Sequence, residues 1–186
     1  MNIDTVQATG RGSSSMHLTP DMKRVITEQR LAFVATVCPD GTPNLSPKGT
    51  IAPFDDEHVV FADIRSPATI RNLKENPSIE INIVDQFRRK GYRFKGKAQI
   101  VREGELYRDI QEFYGKKWTD VGKGGKELSI RCFVLIKVEE ALPLISPSYD
   151  GGADEEQIRY KWIEYFDCLN AKTKERVTES GNRRTN

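Results

Sequence analysis

Three short apolar segments follow one another between residues 31 and 62, with only tight turns between them. We predict strands over Leu31–Cys38, Asn44–Ile51 and His58–Ala62, because each run carries apolar or β-branched residues and turn-forming Gly, Pro or Asp residues separate the runs. Connections this short cannot contain the helix that joins parallel strands. The spacing therefore favours an antiparallel meander over βαβ units.

Strand and helix patterns continue through the rest of the chain. Apolar residues at helical spacing predict helices over four segments: Thr19–Arg30, Ser66–Asn76, Glu105–Tyr114 and Asp154–Leu169. Further strands are predicted over Ser78–Val84, Gly91–Val101 and Ile130–Val138, and Leu142–Ser148 is expected to be extended or irregular. Six β segments with peripheral helices predict an α+β fold, an antiparallel barrel whose closure removes exposed strand edges.

The length of 186 residues suits one domain. We assign residues 1–15 to a flexible tail or a non-native leader, residues 16–172 to the folded domain and residues 173–186 to a polar C-terminal tail. The segment Gly115–Lys126, which is rich in Gly and Lys, is expected to be a mobile loop. With 37% hydrophobic and 30% charged residues, the chain can form a core beneath a strongly charged surface.

Composition argues against several classes of function. No apolar run approaches the roughly 18 residues that a membrane-spanning helix needs, so no membrane partner is expected. The net charge of +2 does not indicate a nucleic-acid partner. Three widely spaced cysteines, an odd number, favour a reducing, cytoplasmic setting. His17 and His58 are too isolated for a metal site or a Ser/His/Asp triad.

The stretch Asp40–Ile51 contains a strand that is poorly suited to the middle of a sheet. Pro47 lacks an amide donor and Gly49 adds no packing, so backbone groups stay free and a planar ligand can approach closely. Lys48, between them, would place a positive charge beside a ring that gains electrons. The alternative interpretation is an irregular edge strand with a solvated lysine.

The stretch Phe61–Asn72 runs from a strand directly into a helix. The first helical turn offers free amides and the Ser66 and Thr69 hydroxyls, with Arg65 and Arg71 nearby. Helix N-termini bind phosphate through such amides and the helix dipole, and without a Gly-rich loop the spacing favours a single phosphate. Ordinary helix capping by Ser66 is the alternative interpretation.

The stretch Phe87–Lys97 contains six cations and three aromatic residues without an acid. In a strand, Tyr92, Phe94 and Gly96 would point to one face, and Arg93, Lys95 and Lys97 to the other. This pattern suits an anionic ligand, or a nucleic acid bound by stacking and charge. A solvated basic face explains it equally well.

Taken together and in this order, the first two stretches resemble the pyridoxamine 5′-phosphate oxidase-like family. The resemblance covers roughly residues 20–140 and rests on four motifs. They are Asp40-Gly41-Thr42-Pro43, Ser46-Pro47-Lys48, Val59-Val60-Phe61-Ala62-Asp63 and the segment from Ser66 through Asn72-Leu73-Lys74-Glu75-Asn76-Pro77. The Asn-Leu-x-x-Asn-Pro ending, followed by an alternating strand, is the most specific of them.

The resemblance implies a six-stranded split barrel that forms a homodimer, with two FMN sites at the subunit interface. By position, the isoalloxazine ring would be lined by Ser46, Pro47, Lys48, Gly49 and Thr50, with Lys48 as the candidate catalytic residue that stabilises negative charge near the reduced ring. Ala62, Asp63 and Ile64 would border the ribityl chain. The phosphate would be held by Arg65, Ser66, Thr69 and Asn72, and Arg93 would reach the same site or the partner's site.

Two departures from the family pattern concern the substrate rather than the cofactor. Members that oxidise pyridoxamine phosphate tend to carry a basic Ser-Arg-Lys where this chain has Ser66-Pro67-Ala68-Thr69. They also end in an Arg-containing segment, where this chain has an amphipathic helix and a polar tail. We therefore expect an FMN-dependent oxidoreductase with another small-molecule substrate or electron donor. The alternatives are a split barrel that binds the deazaflavin F420 or haem, and a non-catalytic flavin carrier or sensor.

Overall fold

The computed structural model describes residues 16–117 and 130–182. The predicted tail at residues 1–15 and most of the predicted loop Gly115–Lys126 lie outside these ranges. The first three residues of that predicted loop, 115–117, belong to a helix instead. No helix in the described ranges is long and apolar enough to cross a membrane.

Four helices and seven strands make up the fold. The helices are α1 (Pro20–Gln29), α2 (Pro67–Glu75), α3 (Glu105–Lys117) and α4 (Glu155–Asn182). The strands are β1 (Ala32–Val37), β2 (Pro43–Lys48), β3 (Ala52–Pro53), β4 (His58–Asp63), β5 (Ser78–Asp85), β6 (Lys90–Val101) and β7 (Cys132–Ile145). All four predicted helices are present. The last one continues beyond its predicted end at Leu169, and a single 3-10 turn, Pro147–Tyr149, precedes it.

The seven strands form one antiparallel sheet in the order β2-β1-β5-β6-β7-β4-β3. Its two edge strands, β2 and β3, are separated in the chain by residues 49–51 alone, so the sheet must curl until its edges meet. This confirms the predicted α+β split barrel of antiparallel strands. The count is seven rather than six, because the predicted strand Asn44–Ile51 ends at Lys48 and a short additional strand, β3, forms just beyond its predicted end and joins the opposite edge.

The predicted meander of the first three strands is interrupted: local antiparallel hairpins form between β1 and β2 and between β3 and β4, but β2 and β3 lie at opposite edges of the sheet. β1 pairs with β2 and β5, but β4 pairs with β7 and β3 on the far side of the sheet. Turn signals close a local hairpin and carry no information about a pairing that is distant in sequence, which explains the difference.

Hydrogen bonds from side chains close the seam between the two edges. The Thr50 hydroxyl donates to the Ala62 carbonyl at 2.9 Å and accepts from the Ala62 amide at 3.0 Å. The Tyr114 hydroxyl of α3 lies 2.6 Å from the Thr50 carbonyl oxygen and 3.2 Å from that of Val60. These contacts satisfy backbone groups that have no ladder partner at the seam.

Strand β4 is buried on both faces and separates two cores. Phe61 packs inside the barrel with Val34, Ile81 and Phe94, among others. The second core lies between the sheet and α3. It contains Val60 and Ala62 of β4, Phe133 and Leu135 of β7, and Ile110 and Tyr114 of α3. Burial on both faces explains why the sequence of β4 is continuously apolar instead of alternating.

Helix α4 leaves much of its predicted apolar face uncovered. Ile158 is buried, and Phe166 contacts Phe87 edge-to-face with ring centroids 5.6 Å apart. Tyr165 and Leu169 are exposed. Among the side chains described for this helix, Ile158 and Phe166 connect it to the rest of the fold.

We predict that Gly96→Ala destabilises the protein by about 2 kcal/mol or more, the range expected for overpacking. A Cβ at Gly96 would lie 2.0 Å from the Lys137 carbonyl oxygen across a β-bulge, and backbone cannot give way as a flexible side chain can. The matched control is Gly115→Ala in α3, where a Cβ meets nothing within 4 Å and helix propensity improves. Urea unfolding of both variants measures the difference. Equal stability would contradict the close approach.

Candidate functional site

The two segments predicted to form the walls of a ligand slot lie side by side. The Thr50–Ala62 hydrogen bonds join the end of the first segment to β4, which leads into α2. The ammonium group of Lys48 lies 5.5 Å from the centroid of the Phe61 ring, in the same strand as Ala62. The seam of the barrel therefore brings the broken strand and the start of α2 together.

Lys48 is buried, with only 3% of its surface exposed. Its Nζ donates to the Ser46 hydroxyl at 2.5 Å and to the Pro47 carbonyl at 3.4 Å. Burial lowers the pKa of Lys48 to about 8, against an opposing influence of the Asp63 carboxylate. No carboxylate of the described residues forms an ion pair with it, so its charge is not neutralised within this part of the chain.

The predicted ring-lining residues divide between the two faces of β2. Ser46 and Lys48 point inward, whereas Pro47 points outward beside Phe33 of β1. Gly49 is exposed, and a Cβ there would have only the Arg30 carbonyl oxygen nearby, at 3.8 Å. Ser46, Lys48 and Thr50 are thus the members of this segment whose side chains face α2 and β4.

The start of α2 is open to an anion. Ser66 occupies the N-cap position but its hydroxyl makes no capping hydrogen bond. The first helical hydrogen bond is donated by Ile70 to the Ser66 carbonyl, so the amides of Ala68 and Thr69 have no partner within the helix. The first turn contains no acid, and Arg65 beside it is exposed. Ordinary side-chain capping, the alternative interpretation of this stretch, is therefore not what the structure shows.

Asp63 fixes the turn that precedes α2. Its side chain is 2% exposed and accepts a hydrogen bond from the Ser66 amide at 2.9 Å. Arg131, which immediately precedes β7, forms an ion pair with the same carboxylate at 2.9 Å. Asp63 and its neighbour Ile64 thus form the connection between β4 and the helix, and the carboxylate is engaged by the protein itself.

Thr69 and Asn72 were predicted to hold the phosphate, but their side chains are buried against the protein. Both are buried on the side of α2 that faces β1. The Asn72 amide donates to the Thr36 hydroxyl at 3.1 Å and to the Cys38 sulfur at 3.4 Å, and Asn44 of β2 also donates to Thr36 at 3.1 Å. With both amide hydrogens used in this way, Asn72 positions α2 against β1 instead of pointing at the open helix start.

Two residues that join the walls, Thr36 and Arg131, were not identified from the sequence. Thr36 is one of two threonines in the predicted strands, and Arg131 is one of 29 basic residues. Neither lies in a motif, and each acquires its role only through a contact with a residue more than 30 positions away, Asn72 and Asp63 respectively.

The basic stretch around β6 is largely neutralised by its neighbours. Phe94 and Gly96 are buried and Lys95 and Lys97 are exposed, as predicted. Carboxylates of adjoining elements pair with four of the six cations: Arg88 with Asp85 and Glu155, Lys90 with Glu155, Arg93 with Glu80, and Lys95 with Glu140. The Arg89 guanidinium lies 4.3 Å from the Trp162 ring centroid. This stretch is therefore not an unbalanced cationic surface for a nucleic acid.

Arg93 does not belong to the slot of its own chain. It aligns with Asn82, Phe33 and Pro47 across four neighbouring strands. Three strand spacings separate it from β2, about 14 Å at the usual distance between strands. The predicted contact of Arg93 with the partner's site stays a prediction.

Within the described part of the chain, no group of three or more His, Cys, Asp or Glu side chains could hold a metal ion. The groups that the site offers to a ligand are instead the buried Lys48, the free amides at the start of α2, the exposed Arg65 and the hydroxyls of Ser46 and Ser66. Such a set can bind a phosphate at one end and stabilise negative charge on a ring at the other.

Comparisons with known proteins bear on the family and the fold of this chain. Residues 18–144 match the sequence profile of pyridoxamine 5′-phosphate oxidase. An uncharacterized protein of Methanocaldococcus jannaschii is 31% identical over 138 residues, covering 73% of this chain and 86% of that protein. The structure of HupZ from Group A Streptococcus is 34% identical, with a TM-score of 0.58 over 69% of this chain and 94% of HupZ.

More distant structures share the fold alone. An FMN-binding protein from Syntrophomonas wolfei is 17% identical, with a TM-score of 0.52 over 66% of this chain and 84% of its own. An F420 reductase is 17% identical, with a TM-score of 0.51 over 67% and 98%. The haem storage protein HutZ from Vibrio cholerae is 23% identical, with a TM-score of 0.55 over 70% and 95%. One architecture thus serves several cofactors.

The family profile spans more than half of the chain, and the curled antiparallel sheet provides the expected architecture. This chain belongs to the pyridoxamine 5′-phosphate oxidase family.

Proposed function

We propose that the protein is an FMN-dependent oxidoreductase that acts as a homodimer on a substrate other than pyridoxamine phosphate. One observation carries the proposal: a buried, unpaired lysine and an uncapped helix start lie on two segments that are hydrogen-bonded to each other at the barrel seam. A flavin mononucleotide has the matching parts, a ring that accepts electrons and a single phosphate.

The residues fit this cofactor in distinct ways. Arg65, Ser66 and the amide of Thr69 would hold the phosphate, because they surround the positive end of the α2 dipole. Lys48 and Ser46 would face the ring, where the lysine charge stabilises the negative charge that reduction adds. When bound, the flavin supplies hydride or electron transfer, and the protein contributes binding, orientation and charge.

The substrate is proposed to differ from pyridoxamine phosphate for a reason that is visible in α2. The helix begins with Pro67, Ala68 and Thr69, which add no positive charge to its first turn. A second phosphate, that of the substrate, would find less positive charge there than a Ser-Arg-Lys sequence provides.

An exposed apolar face supports the proposed homodimer. The register of β2, β1 and β5 places Leu45, Phe33 and Val84 on the same outer surface, and Leu45 is 66% exposed. Contiguous apolar surface of this kind marks protein interfaces. The face adjoins Pro47 and Lys48, so a second copy seated there would lie next to the ring-binding end of the slot.

The holoprotein tests the cofactor directly. We expect purified protein, or apoprotein reconstituted with FMN, to show a flavin absorption spectrum with one FMN per chain and a particle mass of two chains by light scattering. F420 and haem are titrated in parallel, since related folds serve those cofactors. Tighter binding of either one would overturn the FMN assignment. Bound flavin that NAD(P)H and other donors never reduce would favour a carrier or sensor over an oxidoreductase.

The phosphate assignment predicts that substitutions at Arg65 and Ser66 weaken FMN binding, and that the Ser66 substitution does so without destabilising the apoprotein. Arg65→Ala and Ser66→Ala should each weaken FMN binding by about 1.5–3 kcal/mol, the usual worth of a hydrogen bond to a charged group. Ser66→Ala should leave the apoprotein as stable as before, because the Ser66 hydroxyl makes no cap.

Riboflavin, which lacks the phosphate, serves as the control ligand, and its binding should be unaffected by either change. Arg71→Ala, on another side of the same helix, is the matched control protein and should retain full FMN affinity. An equal loss for FMN and riboflavin would contradict the assignment.

Lys48→Met should stabilise the apoprotein at pH 7 by up to about 3 kcal/mol, since one pKa unit is worth about 1.4 kcal/mol. The pKa of Lys48 falls from 10.5 to about 8 on folding, so folding bears the full cost of burying the charge below pH 8. The advantage of methionine should shrink between pH 8 and pH 10.5 as the native lysine loses its proton. Lys161→Met, an exposed position on α4, is the control. Urea unfolding at several pH values gives the result, and a constant difference would refute the burial argument.

A further inference from the structure

Helix α2 has a second polar side that the proposed flavin site does not use. Pro67, Ile70, Arg71 and Lys74 follow one another at helical spacing and line a cavity of about 250 Å³. The cavity is completed by Asp63 at the end of β4, Arg102 after β6 and Arg131 before β7. Four cations from three separate parts of the chain thus converge on one small hollow.

The acids of the described residues leave most of the positive charge of this cavity uncancelled. Arg71, Lys74 and Arg102 have no ion-pair partner in the part of the chain that the structure describes. The single acid present, Asp63, is 2% exposed, and Arg131 and the Ser66 amide engage it. The Arg131 side chain remains 45% exposed, and it contacts the carboxylate through one terminal nitrogen, leaving its other donors free. Four cations and one acid give the cavity a net charge of +3.

This arrangement differs from the basic stretch of β6. There, acids on neighbouring elements pair with Arg88, Lys90, Arg93 and Lys95 one by one. At the cavity, uncompensated like charges have been brought together in a concave site, which costs free energy unless an anion joins them.

We propose that this cavity is a binding site for a phosphomonoester or inorganic phosphate, separate from the flavin site. Its volume is below the 300–1,000 Å³ typical of pockets for drug-sized ligands and suits a compact anion. Three of its four cations are arginines, whose planar donor groups match the oxygens of a phosphate, and a charge of +3 suits a dianion better than a monocarboxylate.

The geometry of α2 separates the cavity from the residues joined to the slot. At 3.6 residues per turn, Thr69 and Asn72 lie roughly 140° to 200° around the helix from the line of Pro67, Arg71 and Lys74. Thr69 and Asn72 are buried towards β1, whereas Arg71 and Lys74 are exposed. The side chains of Thr69 and Asn72 and the cavity therefore lie on different sides of the helix.

The test uses inorganic phosphate as the probe and the FMN-reconstituted protein as the sample, with binding followed by calorimetry at constant ionic strength. We expect saturable binding of one phosphate per chain. The double substitution Arg71→Gln with Arg102→Gln should weaken it at least tenfold while FMN affinity stays unchanged. The matched control removes the same charge elsewhere, Lys95→Gln with Lys97→Gln on β6, and should bind phosphate as the parent protein does.

Three results would overturn the proposal. They are the absence of saturable phosphate binding, an equal loss in the control pair, and competition between phosphate and FMN in the apoprotein. The last result would assign the cavity to the phosphate of the cofactor itself. If the protein binds no FMN at all, the same titration on the apoprotein still decides the matter, so failure of the flavin proposal and failure of this one are distinguishable.

Discussion

The structure depends on a topological constraint: the two edges of the sheet, β2 and β3, are consecutive in the chain and only residues 49–51 lie between them. A connection of that length forces the seven strands to curl. Backbone groups at the seam then lack ladder partners, and the Thr50 and Tyr114 side chains satisfy some of them. The seam lies next to the start of α2, so closure of the barrel and assembly of the site are one event. Lys48 is buried there because the curled sheet surrounds it.

Much of this could be predicted from local signals in the sequence. The Thr19-Pro20 and Ser66-Pro67 pairs start helices where expected, and the alternating pattern of Ser78–Val84 is a strand with one buried face. The two segments that the motifs singled out also lie side by side in the structure. Such features depend on residues within one or two turns of the chain, where propensity and periodicity carry the information.

What the sequence did not reveal depends on distant pairing. The destination of β4, beside β7, is set by contacts across some 70 positions, and no turn residue reports it. For the same reason the significance of Arg131 or Thr36 could not be inferred. The clustering of basic residues along the sequence was likewise a poor guide to where positive charge is unbalanced in the fold. The conspicuous cluster in the sequence, Phe87–Lys97, is balanced by acids from other elements, whereas the unbalanced cluster is assembled from Arg71, Lys74, Arg102 and Arg131.

The seam has a consequence for how such a fold diversifies. Residues 46–50 lie at the end of an edge strand and in a connection where few ladder hydrogen bonds exist to be lost. The barrel core is built from other positions, such as Phe61, Phe94 and Val134. Apart from Thr50, whose hydroxyl closes the seam, side chains here can therefore be exchanged with little penalty to folding, while each exchange alters the lining of the slot. Specificity and architecture are encoded by nearly separate sets of residues, so one barrel can be adapted to a new ligand by small steps.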